Sequence, residues 1–568
     1  MSNILGIICF QGHSSAVALI RDGLVTDAIA EDRFSRRKQD TEFPFLAVDY
    51  LLEKYRLGIK DIDEIAFGWD PQLSLIFNAK SLFRLPPPRL SYFFLKREEH
   101  HGYSRFDKFR AMISLGSALH SRYGAAPKIS YIPHHLAHSF SACLMTPHDH
   151  MLSVVADGTA EEASFSVYEI EQGRHQKIAE TKYPHSAGLF YSTITDYLGF
   201  KPDSDEYKVM GLSSYGTRHT INALKNLGHI RNGKLFLDLK YFDYHRGGGR
   251  FFSSELKRLL GPAETFQQKA DIAKAAQTLL EDWILDLIRQ AVDKLSGKKP
   301  QVLCTSGGIF LNCLVNQRLR TELDFNKFHF SPIADDNGTA LGAAASLFFK
   351  KHGKLPDYTG RLDLGPEYTD QQIEDALNKV GSQVRWEKLV NPYEMAAREI
   401  AQGRVIAFFS GRTEFGPRAL GFRSILADPR IPGMKAILNE KVKLRETFRP
   451  FAPSVLREKA AVYFEVSNES DYPYMIETVY AKSGKRLQIP SVVHEDGTSR
   501  IQTVSKENHP AYYRLIEEFE KITGVPILLN TSFNLNQQPI VNSPDDALKC
   551  FLESGIDLLL MGQYLVNK

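Results

Sequence analysis

The chain has 568 residues, of which 43% are apolar and 24% charged, and its net charge is +3. These are the proportions of an ordinary globular protein of about two to four domains. They exclude a bulk nucleic-acid or membrane-surface binder, and no apolar run reaches the roughly 18 residues needed to cross a bilayer.

The start, MSNILGIICF, has no basic region ahead of its apolar run, unlike a signal peptide. The five cysteines (Cys9, Cys143, Cys304, Cys313, Cys550) form no CxxC and lie mostly in apolar segments, so reduced, buried thiols in a cytoplasmic protein are expected. Apolar runs at Ile4–Phe10, Ala16–Ile20 and Leu24–Ala30 predict three antiparallel strands, with a polar loop at Gln11–Ser15 and an Asp22-Gly23 hairpin turn. A basic segment, 31–38, follows. Phe45–Tyr55 has helical periodicity and Ile62–Phe67 reads as a strand. Residues 70–128 read as an insertion, helical in part, that shapes an acceptor pocket or an interface. Ile129–Ile132 is strand-like and leads to His134-His135-Leu136-Ala137-His138.

Met151–Ala156, the polar loop Asp157–Ala160 and Phe165–Ile170 repeat the opening pattern. Strand, glycine loop and strand, twice in one half of a chain, predict an internal duplication. Two such loops facing a cleft are the plan of actin-like, ribonuclease-H-like nucleotide-binding folds, whose loop amides can cradle phosphate. A long helix spans 266–294. Val302–Cys304 is a strand running into Thr305-Ser306-Gly307-Gly308, and Asn312 opens the next helix. Residues 331–342 then precede an Ala-rich helix. The polar, Gly/Pro-rich stretch 351–367 is the expected linker. Beyond it come helices at 370–380 and 393–402, a strand at Arg404–Phe409, and alternating strands and helices that include Val525–Asn530.

Two constellations carry chemistry. His134 and His138 are four apart, which puts both imidazoles on one helix face. With Asp157 and Asp336, each on a loop after a strand, they make a nitrogen–oxygen set suited to iron(II), manganese or zinc. The second is Gly411–Pro453, where nine Lys/Arg stand against four Asp/Glu, interleaved with Gly411, Gly416, Pro417 and Gly421. That is the pattern of a converging phosphate pocket, in which Arg supplies forks and Lys point charges. Lys443, Arg445 and Arg449 close the stretch. Arg500 stands just beyond an Asp-Gly turn as a candidate second wall, and Asn530-Thr531-Ser532 offer small donors at a strand end. Gly307-Gly308 permits close approach of a nucleotide, or simply a tight turn. Arg33 and Lys38 either reach phosphate or lie on a solvated edge.

Eight ordered motifs give these residues a family likeness: 31–38, HHLAH at 134–138, DEYKVMGL at 205–212, SGGIFLN at 306–312, DNGTALGAA at 336–344, EFGPRALGFRSILADPR at 414–430, HEDGTSRIQTV at 494–504 and NTSFN at 530–534. Over essentially its full length the chain resembles the O-carbamoyltransferases of the NodU/CmcH type. The resemblance implies an α/β protein of two domains. Residues 1–355 would be an actin-like, threonylcarbamoyladenosine-synthase-like transfer domain, and 366–568 a YrdC-like domain. The C-terminal domain would make carbamoyl-adenylate from carbamoyl phosphate and ATP with Mg2+, releasing pyrophosphate. The N-terminal domain would pass the carbamoyl group to a hydroxyl of a small-molecule or glycan acceptor.

The resemblance also implies that His134, His138, Asp157 and Asp336 hold Fe2+ or another divalent metal. It places Arg418, Lys443, Arg449 and Arg500 around carbamoyl phosphate and ATP, with Gly307, Gly308, Asn312, Asn530 and Ser532 as further nucleotide contacts and His13, Lys38, Arg418 and Lys443 as catalytic groups. The chain departs from the family pattern at Ser14, Lys38-Gln39, Gly421-Phe422-Arg423 and Gln537-Gln538-Pro539, which leaves the acceptor open. The rival readings are a tRNA threonylcarbamoyl-type enzyme, disfavoured by the small basic excess, an actin-fold small-molecule kinase, and a non-catalytic nucleotide-binding protein. Whether the protein forms an oligomer is left open.

Overall fold

The computed structural model describes residues 2–10, 14–84, 104–217, 221–246, 249–295 and 297–568. They form two compact units. One comprises 1–31 and 39–360, the other 32–38 and 361–568. The break at 360/361 falls inside the polar stretch 351–367. Nothing in the composition of 32–38 marks it as part of the C-terminal unit.

The N-terminal unit holds two five-stranded sheets. In the first, β1 (Asn3–Ile8), β2 (Ala16–Arg21), β3 (Leu24–Ala30), β4 (Glu64–Phe67) and β5 (Lys128–Tyr131) lie in the order β3-β2-β1-β4-β5. β1 pairs antiparallel with β2 and parallel with β4, and β4 is parallel to β5. In the second, β6 (His150–Ala156), β7 (Ala163–Glu171), β8 (Arg174–Lys182), β11 (Val302–Ser306) and β12 (Lys327–Phe330) lie in the order β8-β7-β6-β11-β12, with the same senses. The duplication expected from the glycine loops therefore extends to a whole sheet. The hairpin turns repeat as well. Asp22-Gly23 and Gln172-Gly173 both have positive φ at their two central residues (48° and 83°, 49° and 79°), the backbone a two-residue hairpin requires. A small hairpin of β9 (Gly228–Arg231) and β10 (Lys234–Leu237) intervenes. The 27-residue helix Phe266–Val292 fulfils the long helical pattern at 266–294. Within 70–128 the described residues are helical at Pro71–Arg84, Arg105–Ile113 and Leu115–Tyr123, while 85–103 lies outside the described residues.

Two helices, His134–Leu144 and Gly338–His352, cross at very close range. A Cβ on Gly342 would stand 1.8 Å from the Ala137 carbonyl oxygen, and one on Gly6 of β1 would stand 1.9 Å from that of Ala340. Only hydrogen atoms fit at both crossings. Gly342→Ala is therefore expected to destabilise the protein by about 1–3 kcal/mol or more, since backbone must move to admit the methyl group. A thermal melt unchanged from wild type would contradict this packing.

The C-terminal unit is built on an eight-stranded mixed sheet. It comprises β13 (Arg385–Lys388), β14 (Ile406–Phe409), β15 (Arg423–Ala427), β16 (Ala452–Leu456), β19 (Gln502–Val504), β20 (Ile527–Ser532), β21 (Leu558–Met561) and β22 (Tyr564–Asn567), in the order β13-β22-β21-β14-β15-β20-β16-β19. β17 (Val479–Tyr480) and β18 (Thr498–Ser499) form a separate two-stranded pair. Phe408, Leu426, Leu528, Leu559, Tyr512 and Phe551 are among its fully buried core residues. The whole chain is thus mixed α/β with several sheets. No helix among the described residues is long and apolar enough to cross a membrane. All five cysteines are free and buried.

Candidate metal centre and anion pocket

The helix His134–Leu144 starts directly after Pro133, and its first and fifth residues are the two histidines. Four-residue spacing stacks the two rings on one face, with centroids 4.6 Å apart and planes at 83°. β6 ends at Ala156 and delivers Asp157. Asp336 sits just ahead of the helix Gly338–His352, whose close crossing with the histidine helix brings the two together. His134 Nε2 lies 3.2 Å from Asp336 Oδ1 and 3.8 Å from Asp157 Oδ2. His138 Nε2 lies 3.6 Å and 3.3 Å from the same atoms. One ligand atom from each residue falls within 4.8 Å of all the others, and all four residues are buried.

The outer partners orient the rings. His134 Nδ1 donates to the Gly68 carbonyl at 2.9 Å, which turns the Nε2 lone pair inward. His138 Nδ1 lies 3.0 Å from Ser306 Oγ. The Glu161 carboxylate accepts from the His134 and Asp70 amides and so fixes the start of the helix. Burial works against a charged His134, yet the neighbouring Asp157 and Asp336 carboxylates carry its pKa well above the ordinary imidazole value, so a metal would bind there in exchange for that proton. Burial likewise works against ionised Asp157, but His134 and His138 hold it below the usual carboxylate range. Asp157 Oδ2 and His138 Nε2 are buried and face each other without a hydrogen bond. Two carboxylates with inward-turned imidazoles call for a cation between them, and this donor set fits a divalent metal.

The remaining candidates of this unit divide. Gly307 adopts φ 96°, and a Cβ there would stand 2.4 Å from the Ala156 carbonyl oxygen, so the turn packs against the end of β6. A Cβ on Gly308 would stand 3.1 Å from Asp157 Oδ1, which places this glycine beside the metal set. Asn312 caps the helix Cys313–Glu322 through the amides of Leu314 and Val315, and its side chain also exchanges hydrogen bonds with Gln277. That amide is committed to structure. His13 lies outside the described residues.

In the C-terminal unit the basic stretch resolves into two groups. Arg412 donates to the Gly365 and Leu364 carbonyls. Arg423 is fully buried, donates to the carbonyls of Ser410, Gly411 and Phe422, and lies 3.6 Å from the Phe409 ring centre. Arg430 forks onto Asp428. Glu414, also buried, accepts from the Leu420 and Arg423 amides and closes the turn that carries half-buried Arg418. Arg412, Arg423 and Arg430 thus build the loop and are not spare cations.

Lys443 belongs to the second group. A single π turn, Leu438–Val442, precedes it, and the Lys443 amide closes that turn on the Leu438 carbonyl at 2.8 Å. The ammonium is buried and meets the Ser532 carbonyl (2.6 Å), Ser532 Oγ (3.2 Å), the Asn534 carbonyl (3.0 Å) and Asn534 Oδ1 (2.6 Å). All four are neutral oxygens. Burial, followed by the charges of Arg445, Arg449 and Lys38, drives its pKa well below the ordinary lysine value. A buried cation among other cations invites an anion. Arg449 stands 3.7 Å from Glu446. Arg500 is half-buried beyond the Asp496-Gly497 turn. Asn530 is turned into the sheet, where its NH2 donates to Ser454 Oγ and Gln502 Oε1. The structure therefore sets Lys443 on Ser532, leaves Arg449 and Lys38 near enough to act on its charge, and sets Asn530 in an internal polar network. Asn534, two residues past the strand end, was missed by sequence reasoning although it lies in the NTSFN motif.

The described residues thus hold a buried two-His, two-Asp set in one unit and a cluster of cationic side chains in the other. Models of the carbamoyltransferase N-terminus and C-terminus match residues 3–345 and 397–568, and the chain belongs to the carbamoyltransferase family, as a transferase enzyme. It is 33% identical to the uncharacterized protein sll1178 of Synechocystis, over 100% of this chain and 97% of that one. It is 35% identical to nodulation protein NolNO of Sinorhizobium fredii, over 98% of this chain and 79% of that one. Among solved structures, full-length HypF in its phosphate- and nucleotide-bound form covers 62% of this chain and 56% of its own at a TM-score of 0.35 and 13% identity.

Proposed function

We propose that this enzyme is an ATP-dependent O-carbamoyltransferase that works through carbamoyl-adenylate. The C-terminal unit, read as YrdC-like, takes carbamoyl phosphate and ATP. Atom balance requires that water release inorganic phosphate from carbamoyl phosphate, leaving carbamate. A carbamate oxygen then attacks the α-phosphorus of ATP, and pyrophosphate leaves. The observation that carries this step is the buried Lys443 ammonium, held by neutral oxygens among Lys38, Arg445 and Arg449. Such a cluster offsets the repulsion between two phosphorylated substrates and the charge that develops on pyrophosphate.

The N-terminal unit, read as actin-like from its duplicated sheets, passes the carbamoyl group to an acceptor hydroxyl and releases AMP. A divalent cation, Fe2+ being the family's usual choice, would be held by His134, His138, Asp157 and Asp336 and would supply Lewis acidity toward the carbamoyl-adenylate. Gly68 and Ser306 hold the two imidazoles in the orientation that binding needs. His13 takes the hydroxyl proton, and a small molecule or glycan supplies that hydroxyl. The test is the nucleotide product. AMP and pyrophosphate should form only with carbamoyl phosphate present, read by phosphorus NMR. ADP as the product would remove the adenylate step and favour a kinase.

A further inference from the structure

Residues 32–38 are the one N-terminal segment that belongs to the C-terminal unit, and Arg36 is what fastens the segment there. Its Nη1 donates to the Ile540 carbonyl at 2.7 Å, its Nη2 to the Pro539 carbonyl at 3.1 Å, and its Nε lies 3.3 Å from Asp546 Oδ1. Asp546 in turn forms the capping box of the helix Pro544–Leu552 with Ser543. Arg33 adds a second anchor, donating to the Gly416 carbonyl at 3.0 Å.

What Arg36 holds is the far end of the Lys443 cradle. β20 ends at Ser532, and the turn 533–538 leads directly to Pro539 and Ile540. Within it Asn534 presents two oxygens to Lys443 and is itself tied down by donating to the Gln538 carbonyl at 2.7 Å. Asn536 donates to the carbonyl of Leu444, the residue after Lys443, at 3.1 Å. Leu444 (φ 47°) and Gln537 (φ 62°) both sit in the left-handed region, where neither residue rests comfortably. A strained turn of this kind keeps its shape only if its surroundings over-determine it. Two carbonyls gripped by one planar fork, immediately after the turn, do this in a way that a lysine cannot copy.

We infer that Arg36 is a positioning residue for the anion pocket: it clamps residues 539 and 540, and so fixes both the turn that aims Lys443 and the segment that carries Lys38, two residues on. The pocket of the C-terminal unit is then incomplete without 32–38. The inference rests on the anion-pocket part of the proposed function but not on the adenylate step.

The experiment uses the full chain with Arg36→Ala and Arg36→Lys. Binding of inorganic phosphate is measured by calorimetry, the KM for carbamoyl phosphate by pyrophosphate release, and bound metal by elemental analysis. Arg36→Ala should weaken phosphate binding and raise the KM by about tenfold to 100-fold, the scale of a small misplacement of a charged group, with metal content unchanged. Arg36→Lys should recover only part of the loss. Wild-type phosphate affinity and KM in Arg36→Ala, whatever its melting temperature, would overturn the inference. If Arg36→Ala does not fold, wild-type values in Arg36→Lys would overturn it equally. If the wild type makes ADP but phosphate binding still falls in Arg36→Ala, the adenylate step fails and the role of Arg36 stands. A wild type that binds no phosphate would bring down both.

Discussion

Alanine at His138 should empty the metal centre and stop carbamoyl transfer while leaving carbamoyl-phosphate-dependent pyrophosphate release in place. His138 presents Nε2 to both Asp157 and Asp336 and is fully buried, so alanine removes the one nitrogen that faces both carboxylates from this turn of the helix. Loss of an outer partner of a metal ligand already costs about 10–100-fold in affinity or activity, and loss of the ligand itself should cost at least that. The variant also leaves Asp157 and Asp336 facing each other with less to balance them, so its metal content and its melting temperature should fall together. The decisive comparison is between the two half-reactions. Pyrophosphate release at near wild-type rate, with transfer to acceptor lost by roughly 100-fold or more, is the expected pattern.

Lys443→Met should do the reverse. Methionine keeps an unbranched chain of similar bulk and removes a buried cation. The desolvated ammonium is no longer carried into the folded state, but the Ser532 and Asn534 oxygens lose their donor, so the two effects offset and the melting temperature should change little. Pyrophosphate release should fall by at least about 100-fold, the usual cost of deleting one charge-stabilising donor from an active site. Metal binding at the N-terminal centre should be untouched. If His138→Ala and Lys443→Met silence the same half-reaction, the division of labour between the units is wrong. If Lys443→Met instead melts early with pyrophosphate release intact, the lysine is a structural pin for the turn 533–538.

The metal set was legible because its signals are local. Four-residue spacing fixes two rings on one helix face, and Asp157 directly follows the buried strand β6, while Asp336 stands six residues beyond β12, just ahead of a helix. The orienting partners were not legible. Gly68, Glu161 and Ser306 lie 66, 27 and 168 residues from the histidines they support. No periodicity connects a backbone carbonyl or a serine to a ring so far along the chain. The duplicated sheet was readable at its hairpins and glycine loops. The strand ends were less so: β11 runs to Ser306, beyond Cys304, and β20 covers Ile527–Ser532, so the hydroxyls of Thr531 and Ser532 belong to strand and not to a turn.

In the basic stretch, counting charges overstated the pocket. Arg412, Arg423 and Arg430 carry the same charge as Lys443 but spend it on carbonyls and on Asp428, and only tertiary contacts separate a pillar from a ligand. Asn312 and Asn530 show the same for amides. Their amides suit a nucleotide in type and position, yet helix capping and an internal network claim them.

The placement of residues 32–38 has a consequence for how the chain comes to be folded. Arg36 and the carbonyl it grips at Ile540 are 504 positions apart. At a synthesis rate of about 5–20 residues per second, the segment waits roughly 25–100 s on the ribosome before its partner exists. The N-terminal unit can settle in that interval, but it must leave an internal stretch of its own backbone uncommitted between Glu31 and Gln39. The C-terminal unit cannot finish until that stretch is captured, so its completion waits on a contact with a segment made at the start of synthesis. Domain-by-domain assembly in the order of synthesis thus ends with a step that reaches back almost to the beginning.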